Sequence, residues 1–246
     1  MNCVGVIPAR YHSQRLPQKA LLPIAEKPMI YWVYKQALSA GLDAVYVATD
    51  HAKIFDAVRE FDGTAILTRS DHNSGTERVA EVAERIEASF FINIQGDEPL
   101  MDGSVVRLVA QTLERGEAPV ASAMIRMQDE AAYLNPAVVK VTVDRSGKAL
   151  YFSRSSIPHY RERSSGPFYK HLGIYGYTRE FLLQLKSLPP SHLEQAEKLE
   201  QLRFLESGIR IQMVEVQHDS IGVDTADDLE TVRRLFASDP NLKSKV

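Results

Sequence analysis

The sequence is short of the features that mark several large protein classes. It has one cysteine, Cys3, in 246 residues, so no disulfide can form within the chain, which fits a reducing compartment. Cys3 lies in the apolar run that opens the chain, where a buried structural thiol is expected, because reactive thiols need exposure and positive neighbours. No segment approaches the ~18 uninterrupted apolar residues of a membrane span. The opening Met1–Ile7 lacks a basic region and its apolar stretch stops at Pro8, so no signal peptide is expected, and the expectation is a cytoplasmic protein. A formal net charge of -3 gives no global attraction to nucleic acid or anionic lipid. Neither GxxxxGK[ST] nor GxGxxG occurs, which removes the usual support for a P-loop ATPase or a nicotinamide enzyme.

What is present is an ordinary globular composition, 44% hydrophobic, patterned as strands alternating with helices. Val4–Ile7, Ala44–Ala48, Ala65–Leu67, Phe90–Ile94 and Val120–Met124 read as strands. Between them, helices are expected from Pro28 to a stop at Gly41, around Ile54–Phe61, from Thr76, and from Gly103. This alternation implies an α/β fold with a mostly parallel, doubly wound sheet whose ligands bind at the carboxyl ends of the strands. After Pro136 the pattern changes. Val139, Val141 and Val143 alternate with polar residues, and Arg145–Lys148 turns the chain into Ala149–Phe152, an antiparallel hairpin. A polar loop from Ser155 to Lys170 leads to a strand His171–Tyr177, helices Arg179–Lys186 and Leu193–Ser207, a strand Ile209–Val216 and a last helix Ala226–Phe236. The second half reads as an antiparallel elaboration of one domain.

The segment PARYHSQRLPQKALLPIAEKPMI, from Pro8 to Ile30, places Arg10, Arg15 and Lys19 on one loop leaving the first strand. Their mutual repulsion calls for an anion, and phosphate oxygens suit both the Arg fork and the Lys point charge. Asp97 follows the most apolar strand and faces the same crevice; Asp224 is a candidate second carboxylate, with helix N-capping as its competing role. Glu98, next to Asp97 on an extended segment, points away from it. Ser74 or Thr76 can cap the helix that carries Arg78.

Together with VATD (Val47–Asp50), SGTER (Ser74–Arg78), QGDEP (Gln95–Pro99), ALYFSRSSIP (Ala149–Pro158), KHLGIYGY (Lys170–Tyr177), EKLEQLRFLE (Glu197–Glu206) and GVDTADDL (Gly222–Leu229), the basic loop resembles the Kdo (3-deoxy-manno-octulosonate) cytidylyltransferase family. The matches run in order from near residue 4 to near 235. One departure stands in the first loop. The family commonly has Leu-Pro-Gly-Lys-Pro-Leu where this chain has Leu16-Pro17-Gln18-Lys19-Ala20-Leu21, which alters the turn before the lysine.

The resemblance implies a single nucleotidyltransferase domain. Residues to about 130 form a nucleotide-binding part, about 131–220 a sugar-binding and dimerisation elaboration, and 221–237 a returning metal-site segment with the C-terminal helix. It implies CTP and Kdo as substrates, with CMP transferred to the anomeric hydroxyl. It implies Mg²⁺ on Asp97 and Asp224, and nucleotide contacts from Pro8, Ala9, Arg10, Arg15, Lys19, Ser74, Arg78 and Gln95. Arg10, Arg15, Lys19 and Asp97 would carry the chemistry. Sugar contacts fall to Gln95, Arg154, His171, Tyr175, Glu200 and Gln201, and the family forms homodimers. An 8-amino-Kdo or sialic acid substrate is the near alternative and a nucleotide-sugar glycosyltransferase the distant one.

Overall fold

A computed structural model of the chain describes residues 2–13, 15–162, 167–239 and 242. It divides into two compact units, Met1–Arg107 with Ser220–Val246, and Leu108–Asp219. β1 (Cys3–Ala9) opens the first unit. A loop with a 3-10 turn at Lys19–Leu21 follows, then a small hairpin of β2 (Pro23–Ile24) and β3 (Lys27–Pro28). α1 (Met29–Ser39), β4 (Ala44–Thr49), α2 (Ala52–Arg59), β5 (Ala65–Leu67), α3 (Gly75–Arg85) and β6 (Phe90–Asn93) come next, and α4 (Gly103–Glu114) carries the chain out. The four long-range strands lie in the order β6-β1-β4-β5 and every pairing among them is parallel. β1 is buried at nearly every position, so both its faces are covered, as a parallel strand requires. Cys3 is buried, as its setting predicts. Because the four strands share one direction, their carboxyl ends share one edge, and the loops carrying Arg10, Asp50 and Gln95 all leave from it.

In the second unit β7 (Val120–Met127) is followed by α5 (Glu130–Leu134), then β8 (Lys140–Val143) and β9 (Ala149–Ser153), the antiparallel hairpin the alternation predicts. Its turn holds Gly147 at φ +77, where a Cβ would also come within 2.9 Å of Gln212 Nε2. β10 (Phe168–Thr178) pairs antiparallel with β7 and with β8. α6 (Arg179–Gln184), α7 (His192–Glu197), α8 (Gln201–Glu206) and β11 (Ile211–Val216) complete the unit, with β11 parallel to β7. The fold is thus mixed α/β, mostly parallel with an antiparallel elaboration. β7 has β10 on one side and β11 on the other, so its residues group with the later strands, and the second unit begins at Leu108. Of the polar loop Ser155–Lys170, residues 163–166 lie outside the described residues, and its last residues, from Phe168, already belong to β10.

One expected helix is two. The apolar spacing of Leu199, Leu202 and Leu205 reads as a continuous helix over Leu193–Ser207, but Lys198 takes a left-handed conformation (φ 54) that ends α7. The break buries Leu199 and leaves the Glu197 carboxylate on the end of β9, where it accepts from Ser153 Oγ (2.6 Å) and Arg154 N (3.0 Å). Tertiary hydrogen bonds here override helical periodicity.

The chain then returns to the first unit through α9 (Ala226–Ser238). Leu229, Val232 and Phe236 of α9 bury against Ile24, Met29 and Trp32, and Trp32 Nε1 donates to Ile24 O at 2.7 Å. At ~25 cal/mol per Å² of apolar surface, side chains of this size contribute roughly 1.5–3 kcal/mol each. That cluster fixes where the residues just ahead of α9 must lie.

Candidate active site

Thr225, not Asp224, caps α9. Its side chain accepts from Asp228 N while the Asp228 carboxylate accepts from Thr225 N, a reciprocal capping box. Asp224 is thereby released from the capping role that competed for it in the sequence. Val223 N donates to Asp97 O at 2.8 Å, stitching the segment before α9 to the loop after β6. Gly96 makes the adjacent approach possible, since a Cβ there would lie 2.7 Å from Pro8 O.

The two aspartates converge on one cation. Lys19 Nζ donates to Asp97 Oδ2 at 2.6 Å and to Asp224 Oδ1 at 3.1 Å, and Arg15 Nη2 lies 3.0 Å from the same Asp224 oxygen. Two of the three loop cations are therefore neutralised within the protein, where loop repulsion alone pointed to an external anion; Arg10 is left exposed. Gln18, at the position where the family carries glycine, sits at φ 55, ψ 31 and directs the 3-10 turn at Lys19. The turn survives loss of the glycine at the expense of a left-handed non-glycine residue.

These groups line a cavity of about 390 Å³ that also includes Pro8, Ala9, Ser74, Gln95 and Arg78. All the nucleotide and metal candidates named from the sequence thus meet in the first unit. Ser74 caps α3, accepting from Glu77 N at 3.2 Å. Arg78 is different from the other bases. It is buried, and its guanidinium donates to Asp50 Oδ2 (3.2 Å), to Arg69 O (3.1 Å) and to Thr68 Oγ1. Burial lowers its pKa, partly offset by Asp50. Asp50 also accepts from Tyr11 N at 3.1 Å, so one carboxylate ties the basic loop to α3. The segment before α3 is held further by Glu81, which accepts from Arg69 N at 3.0 Å and lies 2.5 Å from His72 Nε2. Sequence reading missed Asp50 as a structural tie and His12 and Ser13 as cavity lining; the only signal was their place in VATD and in the basic loop.

The sugar candidates other than Gln95 lie in the second unit. Arg154 Nε donates to Glu197 O (2.9 Å) and its Nη1 to Pro136 O (3.2 Å), which orients the guanidinium and leaves Nη2 for a ligand. His171 and Tyr175 share β10 with ring centroids 5.3 Å apart. Burial takes His171 down to about 3, so at neutral pH its ring is uncharged, and Nε2 lies 3.0 Å from Ser122 Oγ. Burial, with Tyr177 and Glu200 nearby, pushes the Tyr175 phenol well above its ordinary range, which keeps it a hydrogen-bond donor. Glu200 pairs with Arg203 at 3.1 Å. Gln201 is 4% exposed and its Nε2 is buried without a hydrogen-bond partner, a donor that a ligand oxygen would satisfy.

Comparison with known proteins gives the family. The fold is that of nucleotidyltransferases: a putative glucose-1-phosphate thymidylyltransferase from Bacillus anthracis superposes with a TM-score of 0.66 at 18% identity, covering 95% of this chain and 94% of that one. A family model described as cytidylyltransferase matches residues 4–211. The 3-deoxy-manno-octulosonate cytidylyltransferase of Solibacter usitatus is 45% identical over 236 residues, covering 95% of this chain and 94% of its own. That of Geobacter sulfurreducens is 46% identical over 245 residues, with 94% and 98% covered. A solved CMP:2-keto-3-deoxy-manno-octonic acid synthetase complexed with CTP superposes with a TM-score of 0.93 at 46% identity, covering 97% and 99%. The chain belongs to the 3-deoxy-manno-octulosonate cytidylyltransferase family.

Proposed function

We propose that this protein transfers CMP from CTP to the anomeric hydroxyl of Kdo, releasing pyrophosphate. The observation that carries the reading is the convergence of Lys19 and Arg15 with Asp97 and Asp224 in one basic cavity at the carboxyl ends of β1 and β6. The family membership supplies the substrates.

The donor set suits Mg²⁺. Two carboxylates already share a cation, an arrangement that suits an ion completing its shell with phosphates and water. A bound Mg²⁺ would neutralise the α-phosphate and lower the pKa of the attacking hydroxyl. The chain's own residues do the rest. Arg10, Arg15 and Lys19 face the charge that develops on the departing pyrophosphate. The new bond joins the anomeric oxygen to the α-phosphorus as the bond to the β-phosphate oxygen breaks, and the hydroxyl proton leaves to solvent. Arg78, with its guanidinium held by Asp50, Thr68 and Arg69, shapes the nucleotide pocket and is not the main phosphate clamp. Arg154 takes the sugar carboxylate, while neutral His171, the Tyr175 phenol, Glu200 and the orphan amide of Gln201 meet its hydroxyls.

No described helix is long and apolar enough to cross a membrane, and the location proposed is the cytoplasm. A homodimer through the second unit is the assembly that family membership suggests. Pyrophosphate release from CTP with Kdo, with and without Mg²⁺, tests the function; sedimentation tests the dimer.

A further inference from the structure

Lys140 is a charged residue with no exposed surface, a rare condition for a lysine. It lies at the start of β8, and its partners are three backbone carbonyls: Asn135 O at 3.0 Å, Val138 O at 2.6 Å and Arg154 O at 2.5 Å. An ammonium has three N–H donors, and each has a carbonyl here. Two of those carbonyls belong to the turn between α5 and β8, the third to the residue that follows β9. One side chain therefore ties together two stretches of backbone that hydrogen-bonded pairing of β8 with β9 does not reach. The first of these stretches also holds the guanidinium of Arg154. Its Nη1 donates to Pro136 O, inside the 135–138 turn, and its backbone N and Nε are held by Glu197.

The charges are arranged to match. Lys140 and Arg154 are cations and Glu197, which accepts from Arg154 N, is an anion, so the three sum to a single positive charge, the complement of one carboxylate. Burial lowers the pKa of Lys140, and Glu197 opposes that fall. A neutral side chain of similar length would fill the space but take a donor from each of the three carbonyls, of which Asn135 O would keep Val138 N at 3.1 Å.

We propose that Lys140 is a positioning residue for substrate recognition: by fastening the 135–138 turn to the backbone of Arg154, it sets the direction in which the Arg154 guanidinium presents its free N–H groups to the carboxylate of a 2-keto sugar acid. The inference rests on the reading of Arg154 as the carboxylate clamp, and it reaches the sugar only through Arg154.

The test pairs kinetics with a direct view of Arg154. Lys140→Met should raise the sugar KM about tenfold, the scale of one charge-assisted hydrogen bond, and leave the CTP KM within about twofold. In an Arg154→Ala background the same change should add nothing further to the sugar KM, since the group being aimed is gone. In nitrogen-15 spectra the Arg154 Nε–H resonance should lose its separation from the exposed arginines in Lys140→Met. Should Lys140→Met fail to fold, Lys140→Gln keeps two N–H donors in the carbonyl cage and should give a smaller rise of the same pattern. Additive effects of Lys140 and Arg154 on the sugar KM, an equal rise in both substrates' KM, or an unmoved Arg154 resonance would overturn the proposal. If the resonance moves and Arg154→Ala leaves the sugar KM unchanged, positioning by Lys140 stands and the clamp reading of Arg154 falls.

Discussion

Replacing Lys19 with methionine should make the nucleotide-free protein bind a divalent cation more tightly while disabling catalysis. The ammonium occupies the space between the carboxylates assigned to the metal, 2.6 Å from Asp97 and 3.1 Å from Asp224. An incoming ion must displace it. The Lys19 and Asp97 side chains are 17% and 29% exposed, between a surface pair worth up to ~1 kcal/mol and a buried pair whose breaking costs ~3–5 kcal/mol. Asp224 is 45% exposed, so its share lies near the screened limit. About 1–2 kcal/mol of competition is removed, or about 5- to 30-fold in affinity. Electron paramagnetic resonance of free Mn²⁺, titrated against nucleotide-free protein, reads this directly. Pyrophosphate formation should fall by at least about a hundredfold in the same variant, because the leaving group loses a cation. Unchanged or weaker Mn²⁺ binding in folded Lys19→Met would refute the claim that Lys19 and the metal share Asp97 and Asp224.

Asp97→Asn should keep the fold and lose turnover on the order of a thousandfold, as expected for ~4 kcal/mol of Lewis-acid stabilisation; near wild-type rates at saturating Mg²⁺ would remove Asp97 from the ligand set. His171 has a folded pKa of about 3 against ~6.5 in the unfolded chain, so only the unfolded state takes up its proton between those values. Stability should fall with pH below about 6.5, by about 2 kcal/mol at pH 5 from this group alone. His171→Gln should flatten that slope, and urea midpoints at pH 7 and 5 that drop equally in both proteins would contradict it. Gln18→Gly relieves a left-handed residue costing ~1–2 kcal/mol but frees the unfolded chain by ~0.5–1. Thermal melts should show a gain of up to about 1.5 kcal/mol, with Gln18→Val clearly destabilised; a loss on Gln18→Gly would show that the side chain is needed there.

The parallel strands of the first unit were legible because each is an apolar run bounded by turn residues, and strand direction alone brings the loops after β1, β4 and β6 to one edge. The hairpin β8–β9 was legible from alternation and from the Ser146-Gly147 turn. The break at Lys198 was not, since the Leu199, Leu202, Leu205 spacing satisfies a helix and the competing hydrogen bonds come from Ser153 and Arg154, far away in sequence. For the site, residue type and loop position singled out Arg10, Arg15, Lys19 and Asp97. Whether Asp224 capped a helix was undecidable from Asp-Thr-Ala-Asp, because both Asp224 and Thr225 are good caps; the box with Asp228 decides it. That Arg78 spends its donors inside the protein, and that Lys140 is caged by carbonyls, are properties of backbone atoms brought together by tertiary folding. Side-chain identity does not encode them locally.

The role proposed for the basic cavity with Asp97 and Asp224 is to activate CTP toward a 2-keto sugar acid. Pyrophosphate release, measured with CTP, UTP and ATP against Kdo, 8-amino-Kdo and a sialic acid in the presence and absence of Mg²⁺, tests it most directly. Release is expected with CTP and Kdo, dependent on Mg²⁺ and abolished by Asp97→Asn, with the other nucleotides and sugars slower. Pyrophosphate release that persists after chelation and in Asp97→Asn, or release of nucleoside diphosphate in its place, would contradict it.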